Sequence, residues 1–110
     1  MENQSQTLSE LRVALKEIDT MRRVKDISDD ERQALELSAI ALRDAERILV
    51  AKMQNQFIKD MEKETASLTQ HAKAIRARVT KMNKIPNKLL NNIETVLKTA
   101  VKIVIAVAKW

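Results

Sequence analysis

Residues 28–84 read SDDERQALELSAIALRDAERILVAKMQNQFIKDMEKETASLTQHAKAIRARVTKMNK, and this stretch decides the fold. Its 57 residues include no glycine and no proline, which are the residues that most often end a helix. A single helix of this length would extend about 85 Å, since an α-helix rises about 1.5 Å per residue. We therefore expect one long central helix, too long to belong to a compact small domain.

Apolar residues recur at helical spacing along this stretch, but they occupy two sectors of the helix surface. The first sector consists of Ala34, Leu37, Ala41, Ala45 and Ile48, flanked by Leu35, Leu42 and Leu49. The second, rotated from the first by about a third of a turn, consists of Val50, Met53, Phe57, Met61, Leu68, Ile75, Val79 and Met82. The central helix is therefore expected to present different faces to two partners.

Two capping boxes define helix starts on the N-terminal side. Ser28 and Glu31 have the spacing at which a serine oxygen accepts from a first-turn amide while the glutamate reaches back to the serine amide. Thr7 and Glu10 have the same spacing, so they predict a first helix over residues 7–25. The short connection between the two helices predicts that they pack antiparallel.

On the C-terminal side, Pro86 ends the central helix and suits the first turn of a new one. The new helix, predicted over residues 86–109, is strongly two-sided, with aliphatic residues on one face and lysines on the other. Together these elements predict a single all-α domain over residues 1–110, in a three-helix arrangement with one long central helix.

The alternative is an antiparallel four-helix bundle. Residues 63–67 are the segment of the central stretch best suited to a turn, with Thr65 or Ser67 as a cap. A turn without glycine, proline or asparagine is poorly encoded, so the continuous helix is the favoured prediction.

Composition supports an all-α fold and narrows the class of protein. The 110 residues include no glycine, one proline and only 2% aromatics, which leaves little material for hairpin turns or a sheet. No cysteine is present, so disulfides and thiolate metal sites are excluded. The polar N-terminus lacks a signal peptide and the longest apolar run is too short to span a bilayer, so we predict a cytoplasmic protein.

The net charge of +5 is distributed unevenly along the chain. Residues 28–64 carry nine acidic against six basic residues, whereas residues 65–110 carry one acidic against nine basic residues. A split of this kind indicates either association between opposite ends of two copies or attraction to an anionic partner.

No combination of residues points to catalysis. His71 is the only histidine and lacks ligand spacing, since Leu68 stands where an E-x-x-H motif would have its glutamate. A solvated surface histidine is the favoured interpretation. Without glycine or cysteine, phosphate loops and the common nucleophile motifs are absent. We predict no catalytic residues, no metal, no cofactor and no enzymatic activity.

A basic stripe near the end of the central helix is a candidate contact for an anionic partner. Its members are Lys73, Arg76, Lys81, Lys84 and Lys88. Stacking aromatics and groups for reading base edges are scarce there, so nucleic acid is less favoured than an acidic protein or a membrane surface.

The last helix supports a second interpretation, in which it lies on an anionic membrane surface as a cationic amphipathic helix. The residues that would contact the lipid headgroups are Lys98, Lys102, Lys109 and Trp110. The more ordinary role of the apolar face is core packing against the central helix.

The favoured function is a non-enzymatic interaction protein that self-associates through coiled-coil-like helix pairing, most simply as a dimer. If the flanking helices cover the two ends of the central helix, the middle of that helix has no partner within the chain. The apolar row left exposed is the predicted oligomer interface: Val50, Met53, Phe57 and Met61.

Overall fold

The described residues form a bundle of four helices. The computed structural model describes residues 4–25, 27–54, 61–82 and 90–109. Within these ranges the helices are α1 (Gln4–Arg22), α2 (Asp29–Met53), α3 (Met61–Met82) and α4 (Leu90–Lys109), and there is no strand. The prediction of an all-α fold is confirmed.

Helices α2 and α3 lie side by side and run in opposite directions. Asp30 Oδ1, near the start of α2, lies 3.5 Å from Lys81 Nζ near the end of α3. Asp44 Oδ2, farther along α2, lies 3.5 Å from His71 Nε2, which comes earlier in α3. Residue numbers rise on one helix as they fall on the other, so the two helices are antiparallel.

This pairing corrects the prediction of one continuous helix over residues 28–84. Within the described residues α2 ends at Met53, where the Gln54 amide donates to the Val50 carbonyl oxygen at 3.1 Å. The longest dimension of the molecule is 45 Å, about half the length expected of the single helix. The three-helix arrangement is wrong and the four-helix alternative is right, although residues 63–67, where the turn was expected, lie inside α3.

Helix α2 occupies the central place in the bundle because it contacts all three other helices. Helix α1 packs antiparallel on α2, with Arg12 Nε 3.0 Å from Glu46 Oε2, and it also contacts α4. Helix α3 contacts α2 and α4, whereas no α1–α3 contact occurs in the described ranges. The α2–α4 contact therefore crosses the diagonal of the bundle.

Small side chains allow the helices to approach closely in the core. The buried surface of α2 includes five alanines and a serine: Ala34, Ser38, Ala39, Ala41, Ala45 and Ala51. The Ser38 hydroxyl donates to the Ala34 carbonyl oxygen at 2.9 Å, so this polar group is satisfied inside the core. Larger aliphatic residues from all four helices complete one continuous apolar cluster.

The helix starts show one correct and one incorrect capping prediction. The Ser28 oxygen accepts from the Glu31 amide at 3.2 Å and the Glu31 carboxylate accepts from the Ser28 amide at 3.0 Å, which confirms that capping box. Thr7 instead lies within α1, because the described helix already includes Gln4. Its hydroxyl is buried and has no hydrogen-bond partner among the described residues, so the Thr7–Glu10 capping box is wrong.

Candidate functional site

A groove of about 610 Å³ lies between α3 and α4 on the surface of the bundle. Helix α3 contributes one basic, one apolar and one hydroxyl side chain: Arg76, Val79 and Thr80. Helix α4 contributes two lysines and two aliphatic residues: Lys98, Val101, Lys102 and Ile105. The groove thus combines an apolar floor with a basic rim.

Helical spacing explains how α4 supplies both aliphatic and basic side chains to the groove. Val101 and Ile105 are four residues apart on α4, so they lie one turn apart on the same side of the helix. Lys98 and Lys102 have the same spacing and lie on the adjacent, solvent-facing sector. Val101 is buried while Ile105 is half-buried, which places Ile105 where the core meets the surface.

The rim carries positive charge that the described part of the chain does not fully neutralise. Lys98 Nζ pairs with Glu94 Oε1 at 2.7 Å. Neither Arg76 nor Lys102 forms an ion pair within the described ranges. An unneutralised cation cluster at an apolar surface attracts an anionic ligand, because each cation gains a counter-charge that the fold does not provide.

The structure separates the basic stripe predicted for an anionic partner. Arg76 faces α4 and lines the groove. Lys81 faces α2 instead, where its ammonium pairs with Asp30, and Lys73 is exposed outside the groove lining. Lys84 and Lys88 lie outside the described residues. These basic residues therefore do not act as one surface in the described structure.

Two lysines of the predicted membrane-contact set join Arg76 in the groove. They are Lys98 and Lys102, whereas Lys109 is exposed outside the groove lining and Trp110 lies outside the described residues. The apolar face of α4 is buried in the core through Ile93, Val96, Leu97, Ala100, Val101, Ile103, Val104 and Val107. Within the bundle, this face is therefore not available to a membrane.

The predicted oligomer interface lies near the end of α2 and the start of α3. Val50 is half-buried and Met53 is 37% exposed. Phe57 lies outside the described residues, and Met61 begins α3 with a side chain that is likewise outside them. Because α2 is packed on three sides, the long unpartnered helix that suggested this interface does not exist.

Lys52, near the end of α2, forms a hydrogen bond with the backbone of α4. Its ammonium donates to the Val107 carbonyl oxygen at 3.3 Å, across the diagonal of the bundle. Burial lowers the pKa of Lys52 from its ordinary value, because the partly apolar surroundings disfavour the charged form. The contact shows that this lysine serves the packing of α4 and does not extend the basic rim.

His71 lies at the contact between α2 and α3 and is partly exposed to solvent. Its side chain is 25% exposed and its Nε2 faces Asp44. In the described part of the chain, no three His, Cys, Asp or Glu side chains are grouped as a metal site would require. The position of His71 is accounted for by packing between the two helices.

Sequence reasoning placed Val79 in an apolar sector but missed the α4 part of the floor. No role was predicted for Val101 or Ile105, although an aliphatic pair at i, i+4 beside Lys98 and Lys102 is visible in the sequence. The pattern alone could not assign Arg76 to the same site, because that depends on how α3 is rotated against α4.

Comparison of the chain with protein-family models, curated proteins and solved structures found no match. A search of the described residues for a helix with the length and hydropathy needed to cross a bilayer also found none.

The charge of the rim predicts a measurable effect on stability. Arg76→Gln with Lys102→Gln removes two cations that have no counter-charge in the described structure. We expect the free energy of unfolding to stay equal or to rise by about 0.5 kcal/mol at low salt. The gain should shrink at high salt, because screening already weakens the repulsion. Urea denaturation at two salt concentrations measures both effects.

Lys81→Gln serves as the control for this experiment. It removes the ion pair with Asp30 and is expected to lower the free energy of unfolding by about 0.5 kcal/mol. A loss of stability in the Arg76/Lys102 variant larger than in the control would contradict the description of the rim as unneutralised.

Proposed function

We propose that the protein is a non-enzymatic interaction module that binds an acidic partner protein through the groove between α3 and α4. The observation that carries the proposal is the combination of Arg76, Lys98 and Lys102 around an apolar floor. An acidic protein surface with aliphatic side chains suits both parts of the groove, because it supplies counter-charge and covers half-buried Ile105, the floor residue that the core leaves partly exposed.

The apolar floor favours a protein over nucleic acid. Val79, Val101 and Ile105 offer no hydrogen bonds to phosphates or base edges. The chain has only two aromatic residues for stacking on bases, Phe57 and Trp110, and both lie outside the described residues. A phosphate backbone would therefore use the rim and leave half-buried Ile105 uncovered.

Membrane binding is less well supported as the alternative function. The aliphatic face of α4 is the surface that would enter the lipid, and it is part of the bundle core. Its release would separate α4 from the other three helices and expose their apolar surfaces as well. Lys98 and Lys102 remain able to contact an anionic surface, but only as a charged face without an apolar anchor.

Binding to an acidic probe tests the proposal. Poly-L-glutamate is expected to bind the wild type at low salt, with an affinity that falls as salt is raised. Arg76→Gln with Lys102→Gln should weaken this binding about tenfold, a loss of about 1.4 kcal/mol. Isothermal titration calorimetry measures the affinities.

A matched control variant separates the groove from net charge. Lys16→Gln with Arg32→Gln also removes one lysine and one arginine, both exposed, but on α1 and α2. We expect this variant to lose less than about twofold in affinity, because its charges lie away from the groove. Equal losses in the two variants, or no binding to the wild type at low salt, would refute the proposed function.

Self-association as a dimer is a second proposal. The observation in its favour is the exposed Met53 next to half-buried Val50 at the end of α2. Met53→Asp should shift a self-associating protein towards monomer, whereas Ile40→Asp changes an apolar residue, 48% exposed, elsewhere on α2 and should not. Sedimentation equilibrium decides, and a wild type that stays monomeric at every concentration rules this proposal out.

A further inference from the structure

We infer that the occupant of the α3–α4 groove is an amphipathic helix with a narrow aliphatic row and acidic residues on both sides of that row. The inference rests on the proposed function, and it specifies which kind of secondary structure in the partner contacts the groove. It follows from where the charges lie: Arg76 is on the α3 side of the groove, and Lys98 and Lys102 are on the α4 side.

Charges on both rims select a helix over an extended segment. Successive side chains on a helix are rotated by about 100°, so residues on either side of an aliphatic row point towards both rims. On an extended strand, successive side chains alternate between opposite faces. A strand with aliphatic residues on the floor would therefore point its acidic residues away from the rims.

The spacing along α4 sets the spacing expected on the partner. Lys98 and Lys102 are four residues apart, about 6 Å along the helix axis. Val101 and Ile105 have the same separation. Val101 is buried, so a partner helix that lies along the groove, with acids one turn apart beside its aliphatic row, can contact both lysines and half-buried Ile105.

The ion pair already present on the rim does not prevent this contact. Lys98 is paired with Glu94, but its side chain is 67% exposed. An exposed pair of this kind contributes little to stability, since water competes for both groups. Lys98 can therefore pair with a partner carboxylate at low cost, and Lys102 and Arg76 need to give up no ion pair of the described structure.

A second copy of this chain is a weaker occupant of the groove. Helix α1 does carry exposed Val13, but Glu10 and Glu17 both lie on one side of it and Lys16 lies on the other, so it does not have the required pattern. A contact of this helix with the groove of a second copy would also be head-to-tail, so it would leave an open chain of subunits unless it closed into a ring.

The test uses the full chain and three synthetic peptides of identical charge, each about 20 residues long, which is enough for a stable helix. The patterned peptide has leucines at i, i+3, i+4 and i+7 with glutamates on both sides. The scrambled peptide has the same composition without the row. The interrupted peptide keeps the row but has a proline at its centre.

We expect the patterned peptide to bind at least about tenfold more tightly than either of the others, as measured by fluorescence anisotropy. Its helix content, followed by circular dichroism, should rise on binding. Ile105→Ser should remove most of the difference between patterned and scrambled peptides, because it shortens the apolar floor. The thermal unfolding of this variant by circular dichroism verifies that it is folded.

The other outcomes distinguish the two proposals. If all three peptides bind equally and the Arg76/Lys102 variant weakens all of them, the acidic-partner function stands and the helix inference is wrong. If none binds at low salt, both are wrong. In a competition experiment, dodecanoate or anionic phospholipid vesicles are compared with unlabelled patterned peptide. If either lipid displaces the labelled peptide at a lower concentration than the unlabelled peptide does, the inference would be overturned in favour of a lipid ligand. If the protein without peptide has twice the mass of one chain and this dimer does not bind the peptide, the result would overturn the inference in favour of self-association.

Discussion

The burial of α2 is the constraint on which the rest of the structure depends. Its apolar surface is too wide for one partner, and the three other helices share it, including α4 across the diagonal. Alanines and Ser38 at the contacts let the neighbouring backbones approach, while the larger aliphatic residues fill the space between them. Because α4 uses its apolar face in this contact, its lysine face must point outward.

The distribution of acidic residues follows from the same arrangement. Asp30, Asp44 and Glu64 pair with basic groups across the α2–α3 contact, and Glu46 pairs with Arg12 across the α1–α2 contact. The α3–α4 contact has no such acid between the helices in the described structure, since Glu94 pairs along α4 with Lys98. Three of the nine basic residues of this segment, Arg76, Lys98 and Lys102, therefore meet at one groove, next to half-buried Ile105.

The features that could be predicted from sequence are those with local causes. The Ser28–Glu31 box depends on two side chains three residues apart, and the buried face of α4 depends on spacing within one helix. The apolar sector also changes direction after Ile48 in the sequence. The prediction explained this change by one helix with two apolar faces. Two separate helices, each packed through its own face, produce the same rotation.

The groove could not be predicted because it depends on tertiary packing. Arg76 and Lys102 are 26 residues apart and were assigned to two different hypotheses, yet they line one site. The capping prediction for Thr7 failed because a cap must stand at the first residue of its helix. Helix α1 already includes Gln4, so Thr7 lies inside it. The sequence pattern did not decide whether the chain reverses direction between α2 and α3. Both the bundle and the groove depend on this reversal.

A distance measurement between α2 and α3 tests this reversal most directly. The chain contains no cysteine, so Ile40→Cys with Ala77→Cys provides two spin-label sites, both at exposed positions. Double electron–electron resonance, on labelled protein diluted with excess unlabelled protein, should give a distance within about 20 Å, because neighbouring helix axes lie about 10 Å apart. A distance of about 55 Å, the value for one straight helix between these residues, would contradict the structure and the function proposed from it.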